Sequence, residues 1–532
     1  MSRKAKILYG AAFFLVIVFG CGQIFAGYAG DKVWMLLHAR MMLEGKQLYV
    51  DIFEVNMPFI VWIDTIPVAV TTHLAWLKDY QWLGLMGVLC VMFSVWVCSR
   101  LIRDHPGFSG NKNQQIQFAL LLCYAFIVCT NPAYFFDRDH IFLILTFPYL
   151  LSYMPSLARC DRPCWLRICV GLLAGVGFSI KPHTLILLLS IQLLYILRER
   201  RAGILWSLEN ILIYLLGLFY LFCVWHFTPN YLNIVLPMAL LTYGATSTKI
   251  NGLYYSSIAL LMLGVTFADF RPRHRSPLRK DIYYFLALCI SFYLYALANN
   301  GWSYSYNVLN TFILFLSGWV LWEFLYLRKR QLSDGVAEQS KEFIFGARAC
   351  ALNLIANGLV IALFWSAVFT TDCADSLVCK TNNKFAEMMQ QEHFQSFGTI
   401  SISFSLWTHL VNNYGVRWDT RFEQIWMLPK FFASDDAFAR EHHWILDYVA
   451  QGYAQDLNER KPEVMFVDDA DIFYSVHKHI DLIAYLEAFP NFKNAWQHYH
   501  MIRTLDLCYE GKRQPGGKVG VGCRYFMYRR TP

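Results

Sequence analysis

Ionisable side chains cluster in the stretch that follows the first apolar segment of the chain. Asp31 opens this stretch, and Asp51 and Glu54 follow before Pro58. A carboxylate at Asp31 suits a general base that removes a proton from an acceptor hydroxyl, although Asp before an amphipathic stretch is also a common helix N-cap. Asp51 and Glu54 share one face if their segment is helical. There they form either a polar wall for a sugar or a cation, or a solvated loop face.

A second charged group stands at the start of a later apolar run. Arg138 can pair with a phosphate, His140 can donate a hydrogen bond to one, and Asp137 adds a carboxylate for substrate binding. The alternative for this group is that charges at the end of an apolar run anchor it at the membrane surface. Lys181, directly before Pro182, either holds a lipid phosphate or snorkels to the surface.

Two further patterns complete the candidate set. Trp302 and Tyr304 lie in an aromatic stretch that suits either an interfacial belt or stacking on a sugar. Asp468, Asp469 and Asp471 resemble a metal cluster, but carboxylates after a strand more often cap the next helix. We therefore predict no metal ligands among these residues, while a divalent metal elsewhere stays possible as a cofactor.

Composition places most of the chain in a membrane. Of 532 residues, 56% are hydrophobic and 16% are charged, against about 45–50% and about 25% in ordinary soluble domains. Apolar runs of roughly 18 to 22 residues, long enough to cross a hydrocarbon core of about 30 Å, recur up to about Thr370. We predict an all-α polytopic membrane domain at residues 1–370 and a small domain at residues 371–532.

The distribution of Lys and Arg predicts the topology. If the apolar segment 57–77 lies in the interface or re-enters the membrane, the chain has about eleven spans, with 22 basic residues in inner loops and 7 in outer loops. That asymmetry follows the positive-inside rule. The N-terminus is then cytoplasmic, the C-terminal domain is extracytoplasmic, and residues 28–81 form a first outer loop with interfacial helices. The net charge of +8 is thus a topology signal and does not indicate nucleic-acid binding.

The C-terminal domain shows alternating strand and helix patterns, which predict a small α/β layer. Four of the fifteen cysteines fall in this domain, and an even number outside the cytoplasm predicts two disulfides, with three pairings open. These cysteines are Cys373, Cys379, Cys508 and Cys523. We expect helices at 382–394, 441–457 and 480–489, and strands at 398–406, 462–469, 502–508 and 523–529.

The outer-loop residues together resemble the GT-C glycosyltransferases, in the branch of protein mannosyltransferases and aminoarabinose transferases (glycosyltransferase family 39-like). The resemblance covers about residues 5–370. The chain has Asp31-Lys32 where family members often carry Asp-Glu, and Asn56-Met57 where they carry a Lys before the Pro. The residues that carry the resemblance are Asp31, Ala39-Arg40-Met41, Glu44-Gly45-Lys46, Tyr49, Asp51, Pro58, Asp137-Arg138-Asp139-His140, Lys181-Pro182 and Gly301-Trp302-Ser303-Tyr304.

This resemblance implies an enzyme of a bacterial inner (plasma) membrane. It would move a sugar from a polyprenyl-phosphate-linked donor to an envelope glycan, a lipid-linked glycan or a protein by inverting displacement. Asp31 would act as the base, and Arg138, His140 and Lys181 would stabilise the leaving phosphate. The alternatives are a transporter or flippase for a lipid-linked saccharide, or a non-catalytic subunit of envelope assembly.

Overall fold

The computed structural model describes most of the chain, and the described residues fall into two compact units. Several predictions concern residues outside the described part, namely those for Trp302, Tyr304, Asp471, the last predicted span and the four C-terminal cysteines. The described residues are 3–25, 31–104, 112–155, 157, 162–242, 278–298, 305, 308–316, 318–319, 384, 387–402, 407, 410–411, 414–470, 479–506 and 524–531.

The described residues are mostly helical, as the sequence predicted. A π-helical turn, Tyr124–Val128, follows α5 and leads into the loop before α6. In chain order the helices are α1 (Arg3–Phe25), α2 (Asp31–Leu43), α3 (Phe59–His73), α4 (Asp79–Leu101), α5 (Lys112–Cys123), α6 (Arg138–Ser152), α7 (Cys164–Phe178), α8 (Leu185–Glu199), α9 (Leu208–Phe227), α10 (Leu236–Thr242), α11 (Leu278–Ala298), α12 (Leu428–Ala433), α13 (Asp436–Glu441), α14 (His443–Glu459), α15 (Leu482–Leu486) and α16 (Pro490–Trp496).

The first unit comprises the described residues of Met1–Lys32, Trp62–Cys223 and Thr248–Phe369. Small residues allow its helices to approach closely. A Cβ on Gly175 of α7 would lie 2.5 Å from the Leu216 side chain of α9, so a larger residue would force Leu216 to move at this crossing. Close contact through glycine is a common way for helices to associate in a lipid environment.

Two of the described helices, α4 and α9, are long and apolar enough to cross a membrane, and five shorter apolar helical segments accompany them. Leu218 and Phe219 of α9 are each 64% exposed, and an apolar surface of this kind suits contact with lipid. The 15 residues of α3 reach only about 22 Å at 1.5 Å per residue. The eleven spans stay a prediction.

The second unit comprises the described residues of Val33–Val61, Val224–Ser247 and Thr370–Pro532. It contains a mixed five-stranded sheet in the order β2-β1-β3-β5-β4. β1 pairs in parallel with β2 and β3, while β5 pairs antiparallel with β3 and β4. Packed rings of Phe397, Trp407 and Phe466 form part of its core. The strands are β1 (Ser396–Ile400), β2 (Arg417–Trp418), β3 (Val464–Asp468), β4 (Tyr499–Asp506) and β5 (Arg524–Arg530).

The predicted helix 480–489 is present in a shorter form, α15, which runs from Leu482 to Leu486. Phe489 is extended, and Pro490 starts the separate helix α16. The prediction that Asp468, Asp469 and Asp471 cap the next helix lies outside the described residues, because residues 471–478 are not described. Asp468 accepts a hydrogen bond from the Ser401 hydroxyl at 2.9 Å.

Candidate active site

An ion pair joins the first residues of two helices in the first unit. Asp31 begins α2 and Arg138 begins α6, and an Nη2–H of Arg138 donates to Oδ2 of Asp31. The Arg138 side chain is only 7% exposed, whereas the Asp31 side chain is 38% exposed. The carboxylate is therefore the member of the pair that a substrate can reach from solvent.

The next residue of α6, Asp139, is fully buried among donors. Lys181 Nζ lies 2.9 Å from its Oδ1, the Ser305 hydroxyl donates to its Oδ2 at 2.9 Å, and the Tyr295 hydroxyl donates to its Oδ1. Burial lowers the pKa of Lys181, and the attraction of Asp139 opposes that shift. A buried carboxylate needs such partners, because leaving it unpaired costs several kcal/mol.

A tight turn presents Arg138. Phe136 has φ of 56°, a left-handed conformation that non-glycine residues rarely adopt. Its N–H donates to His140 Nδ1 at 2.9 Å, and Asp137 caps α6 by accepting from the His140 N–H at 2.9 Å. A Cβ on Gly87 would lie 2.8 Å from the Phe136 ring, so the glycine lets α4 pack against this turn.

A second lysine fixes the same turn. Lys32 Nζ donates to the carbonyl oxygens of Pro132 and Phe135 at 3.1 and 3.0 Å. Burial lowers the pKa of Lys32, against the attraction of the Asp137 and Asp64 carboxylates. With Arg138 and Lys181, this residue supplies three cations that lie among the carboxylates of Asp31, Asp64, Asp137 and Asp139. The Asp31 side chain is more than one-third exposed, so the cluster offers cations for a phosphate and a reachable carboxylate for a proton.

The structure brings only some of the predicted site residues together. Asp31, Arg138 and Lys181 belong to one cluster in the first unit, and Asp137 caps the helix that carries Arg138. His140 is fully buried, with Nδ1 accepting from the backbone and Nε2 lying 3.4 Å from the Thr130 hydroxyl. These contacts give it a structural role in the turn, and its contact with a phosphate stays a prediction.

Asp51 and Glu54 lie in the second unit. Asp51 Oδ1 accepts from Arg460 Nη2 at 2.8 Å, and its Oδ2 accepts from the Gln47 N–H at 2.9 Å. Glu54 is only 1% exposed, so it is not part of the solvated loop face that was one of its two alternatives. Its Oε1 accepts from the Asn56 N–H at 2.8 Å.

Glu54 belongs to a buried group that sequence analysis missed. His38 Nδ1 lies 3.3 Å from Glu54 Oε2, and His38 Nε2 lies 3.4 Å from Glu423 Oε2. Burial opposes protonation of His38, but the two carboxylates outweigh it and raise its pKa to about 9. One ligand atom from each residue lies within 4.8 Å of the others, so the group can also take a divalent cation in place of the proton.

Sequence signals for the missed residues were weak. Asp139 and Lys32 are neighbours of predicted residues, yet their roles depend on contacts with Tyr295, Ser305 and backbone oxygens that lie 100 or more residues away along the chain. Glu423 had no signal, since its partner His38 lies in a distant part of the chain.

Comparison with solved structures identifies the fold. The crystal structure of ArnT from Cupriavidus metallidurans bound to undecaprenyl phosphate matches 99% of this chain and 98% of its own, at 10% identity and a TM-score of 0.53. The oligosaccharyltransferase AglB from Archaeoglobus fulgidus, in complex with an inhibitory peptide and a dolichol-phosphate, matches 98% of this chain and 75% of its own, at 12% identity and a TM-score of 0.38.

The chain therefore shares the GT-C fold of ArnT, which confirms the predicted resemblance at the level of the fold. No family model matches the sequence, and no curated protein matches it either.

Proposed function

We propose that this protein is a membrane glycosyltransferase that uses a polyprenyl-phosphate-linked sugar as donor. The observation that carries the proposal is the half-exposed Asp31 carboxylate beside the buried Arg138 guanidinium and the nearby Lys181. Its support is the fold shared with ArnT, whose structure holds undecaprenyl phosphate. The acceptor is a glycan, a lipid-linked glycan or a protein outside the cytoplasm.

The reaction assigns one task to each group. Asp31 takes the proton of the acceptor hydroxyl, and the acceptor oxygen attacks the anomeric carbon from the face opposite the phosphate. The bond between that carbon and the phosphate oxygen breaks, and its electron pair stays on the phosphate. Arg138 and Lys181 stabilise the negative charge that develops there, which is where preorganised cations act most strongly.

The remaining assignments extend this proposal. The site faces the outside of a bacterial inner membrane, in a domain of residues 1–370, and residues 371–532 form an extracytoplasmic domain. Asp51, Asp137, Trp302 and Tyr304 contact sugar or acceptor, whereas the buried Glu54, first predicted for the same task, belongs to the group with His38 and Glu423. His140 donates to the donor phosphate from its buried position, as first predicted from the sequence.

A divalent cation is the proposed cofactor, and the second unit offers a place for it. Two carboxylates and an imidazole, from Glu54, Glu423 and His38, match the nitrogen and oxygen ligands that zinc accepts. Elemental analysis of the purified chain before and after chelation tests this assignment. A metal content equal to that of Glu423→Gln would mean that the group holds a proton instead.

The central test is transfer activity of Asp31→Asn. Purified full-length protein is incubated with a panel of polyprenyl-phosphate sugars and envelope glycan acceptors, and product is measured by mass spectrometry. Loss of a general base should reduce turnover by about 10²-fold or more. Glu44→Gln, which neutralises an exposed carboxylate at the end of α2, is the matched control and should remain active.

Other outcomes point to the other classes of protein. Near-wild-type turnover in Asp31→Asn would remove Asp31 as the base. Donor binding with no product under any condition would favour a transporter or flippase of lipid-linked saccharides. A pathway that runs normally with all outer-loop acids replaced would favour a non-catalytic assembly subunit.

A further inference from the structure

Arg138 differs from the other cations of the cluster in the kind of partner it has. Lys181 pairs with Asp139, which is fully buried. Lys32 donates to backbone carbonyl oxygens, which carry no charge and cannot leave. Arg138 pairs with a carboxylate, Asp31, that is more than one-third exposed, and it differs in this from the pairs that Lys32 and Lys181 form with described residues.

A donor phosphate and Asp31 must compete for Arg138. Both are anions that bind the planar N–H groups of a guanidinium in the same way. Because the Arg138 side chain is 93% buried and Asp31 begins a helix next to solvent, the carboxylate is the group that can move away. While the pair is formed, the Arg138 guanidinium occupies Oδ2 of Asp31 and holds the carboxylate at the start of α6.

We propose that Arg138 exchanges partners in each catalytic cycle. It holds Asp31 in the donor-free protein and the phosphate in the donor complex, so that Asp31 is released as a base only after the donor has bound. This inference rests on the proposed function. It couples base release to donor binding and disfavours proton abstraction from an acceptor when no donor is present.

The proton and charge balance support an ordered cycle. Asp31 becomes neutral when it takes the acceptor proton, so it no longer competes for Arg138 at the moment when the leaving phosphate gains charge. Deprotonation of Asp31 by solvent after product release restores its charge and lets the Asp31–Arg138 pair form again. The exchange therefore needs no group beyond donor, acceptor and water.

The test is equilibrium binding of undecaprenyl phosphate to the full-length protein in nanodiscs, which does not depend on turnover. Removing the competitor in Asp31→Asn should tighten binding by about two-fold or more, because the phosphate no longer has to displace a carboxylate from Arg138. Arg138→Gln should weaken binding, and in the double variant the gain from Asp31→Asn should vanish. If Arg138→Gln does not fold, Arg138→Lys replaces it, and the gain should shrink.

A matched control separates the exchange from a general charge effect. Asp79→Asn removes a carboxylate at the start of α4 and should leave the affinity unchanged. The inference is overturned if Asp31→Asn binds no more tightly than wild type, or if its gain is equally large without Arg138. Failure of every variant and of wild type to bind the lipid phosphate would instead refute the proposed function.

Discussion

Replacing Asp139 by Asn should destabilise the first unit strongly. The carboxylate is fully buried, its partner Lys181 is only 8% exposed in its side chain, and the two lie 2.9 Å apart. Removing one member of a buried pair leaves the other charge uncompensated, at a cost of about 3–5 kcal/mol. The amide still fits the space and can still accept from Tyr295 or Ser305, so the loss is mainly electrostatic.

Thermal unfolding of the detergent-solubilised protein measures this effect. Glu209→Gln is the matched control, because Glu209 also pairs at 2.9 Å but with Arg167, whose side chain is 37% exposed. Water can solvate the charge of Arg167 when its partner is neutralised, so the control should lose about 1 kcal/mol or less of the free energy of unfolding. The double variant Asp139→Asn with Lys181→Met should recover part of the lost stability, since it removes the unpaired cation. An Asp139→Asn midpoint no lower than that of Glu209→Gln would refute this account of the buried pair.

Two other predictions follow from single contacts. Gly87→Ala places a methyl group 2.8 Å from the Phe136 ring. We expect the free energy of unfolding to fall by about 1–3 kcal/mol and the turn before Arg138 to shift. Thermal unfolding and binding of lipid phosphate measure these effects, and both should be weaker than in wild type. The third variable is pH, tested in chelator-treated protein, where the pKa of His38 is raised from 6.5 to about 9. Protonated His38 should stabilise the fold fully below about pH 6.5. This stabilisation should be lost as the pH rises through about 9. Unfolding midpoints between pH 6 and 10 should show this fall in wild type and a flatter profile in His38→Gln; equal profiles would contradict it.

The class of fold could be predicted from the sequence because that class depends on composition along the chain. Long apolar runs and the placement of basic residues indicate membrane helices whatever their neighbours are. The boundaries of the strands in the second unit were harder to predict. The predicted strand 398–406 is β1, which starts two residues earlier and ends at Ile400, and β2 is only two residues long. A strand that short has no alternating pattern that could predict it.

The candidate site was predicted by residue type and not by pairing. Asp31, Arg138 and Lys181 were found because charges beside apolar runs are rare and conspicuous. Their partners follow from tertiary packing, so nothing in the sequence distinguished Asp139, which holds Lys181, from Asp137, which caps a helix. The exposure of the side chains could not be predicted either. Asp51 and Glu54 lie in the same loop, yet Asp51 is partly exposed and Glu54 is buried.

Two ion pairs meet at the start of α6, the exchangeable pair of Arg138 with Asp31 and the fixed pair of Asp139 with Lys181. Arg138 and Asp139 are successive residues, about 100° apart around a helix of 3.6 residues per turn, and they therefore face different partners. Asp139 is held by Lys181, Tyr295 and Ser305, which keeps the helix end in place while the Arg138 head changes its anion. The two carboxylates should then respond differently to neutralisation. Asp31→Asn should lower the midpoint less than Asp139→Asn does, because solvent reaches the Asp31 end of its pair, and yet it should alter phosphate binding. Asp139→Asn should lower the midpoint strongly. Equal losses of stability in both variants would show that the Asp31 pair is as fixed as the buried one.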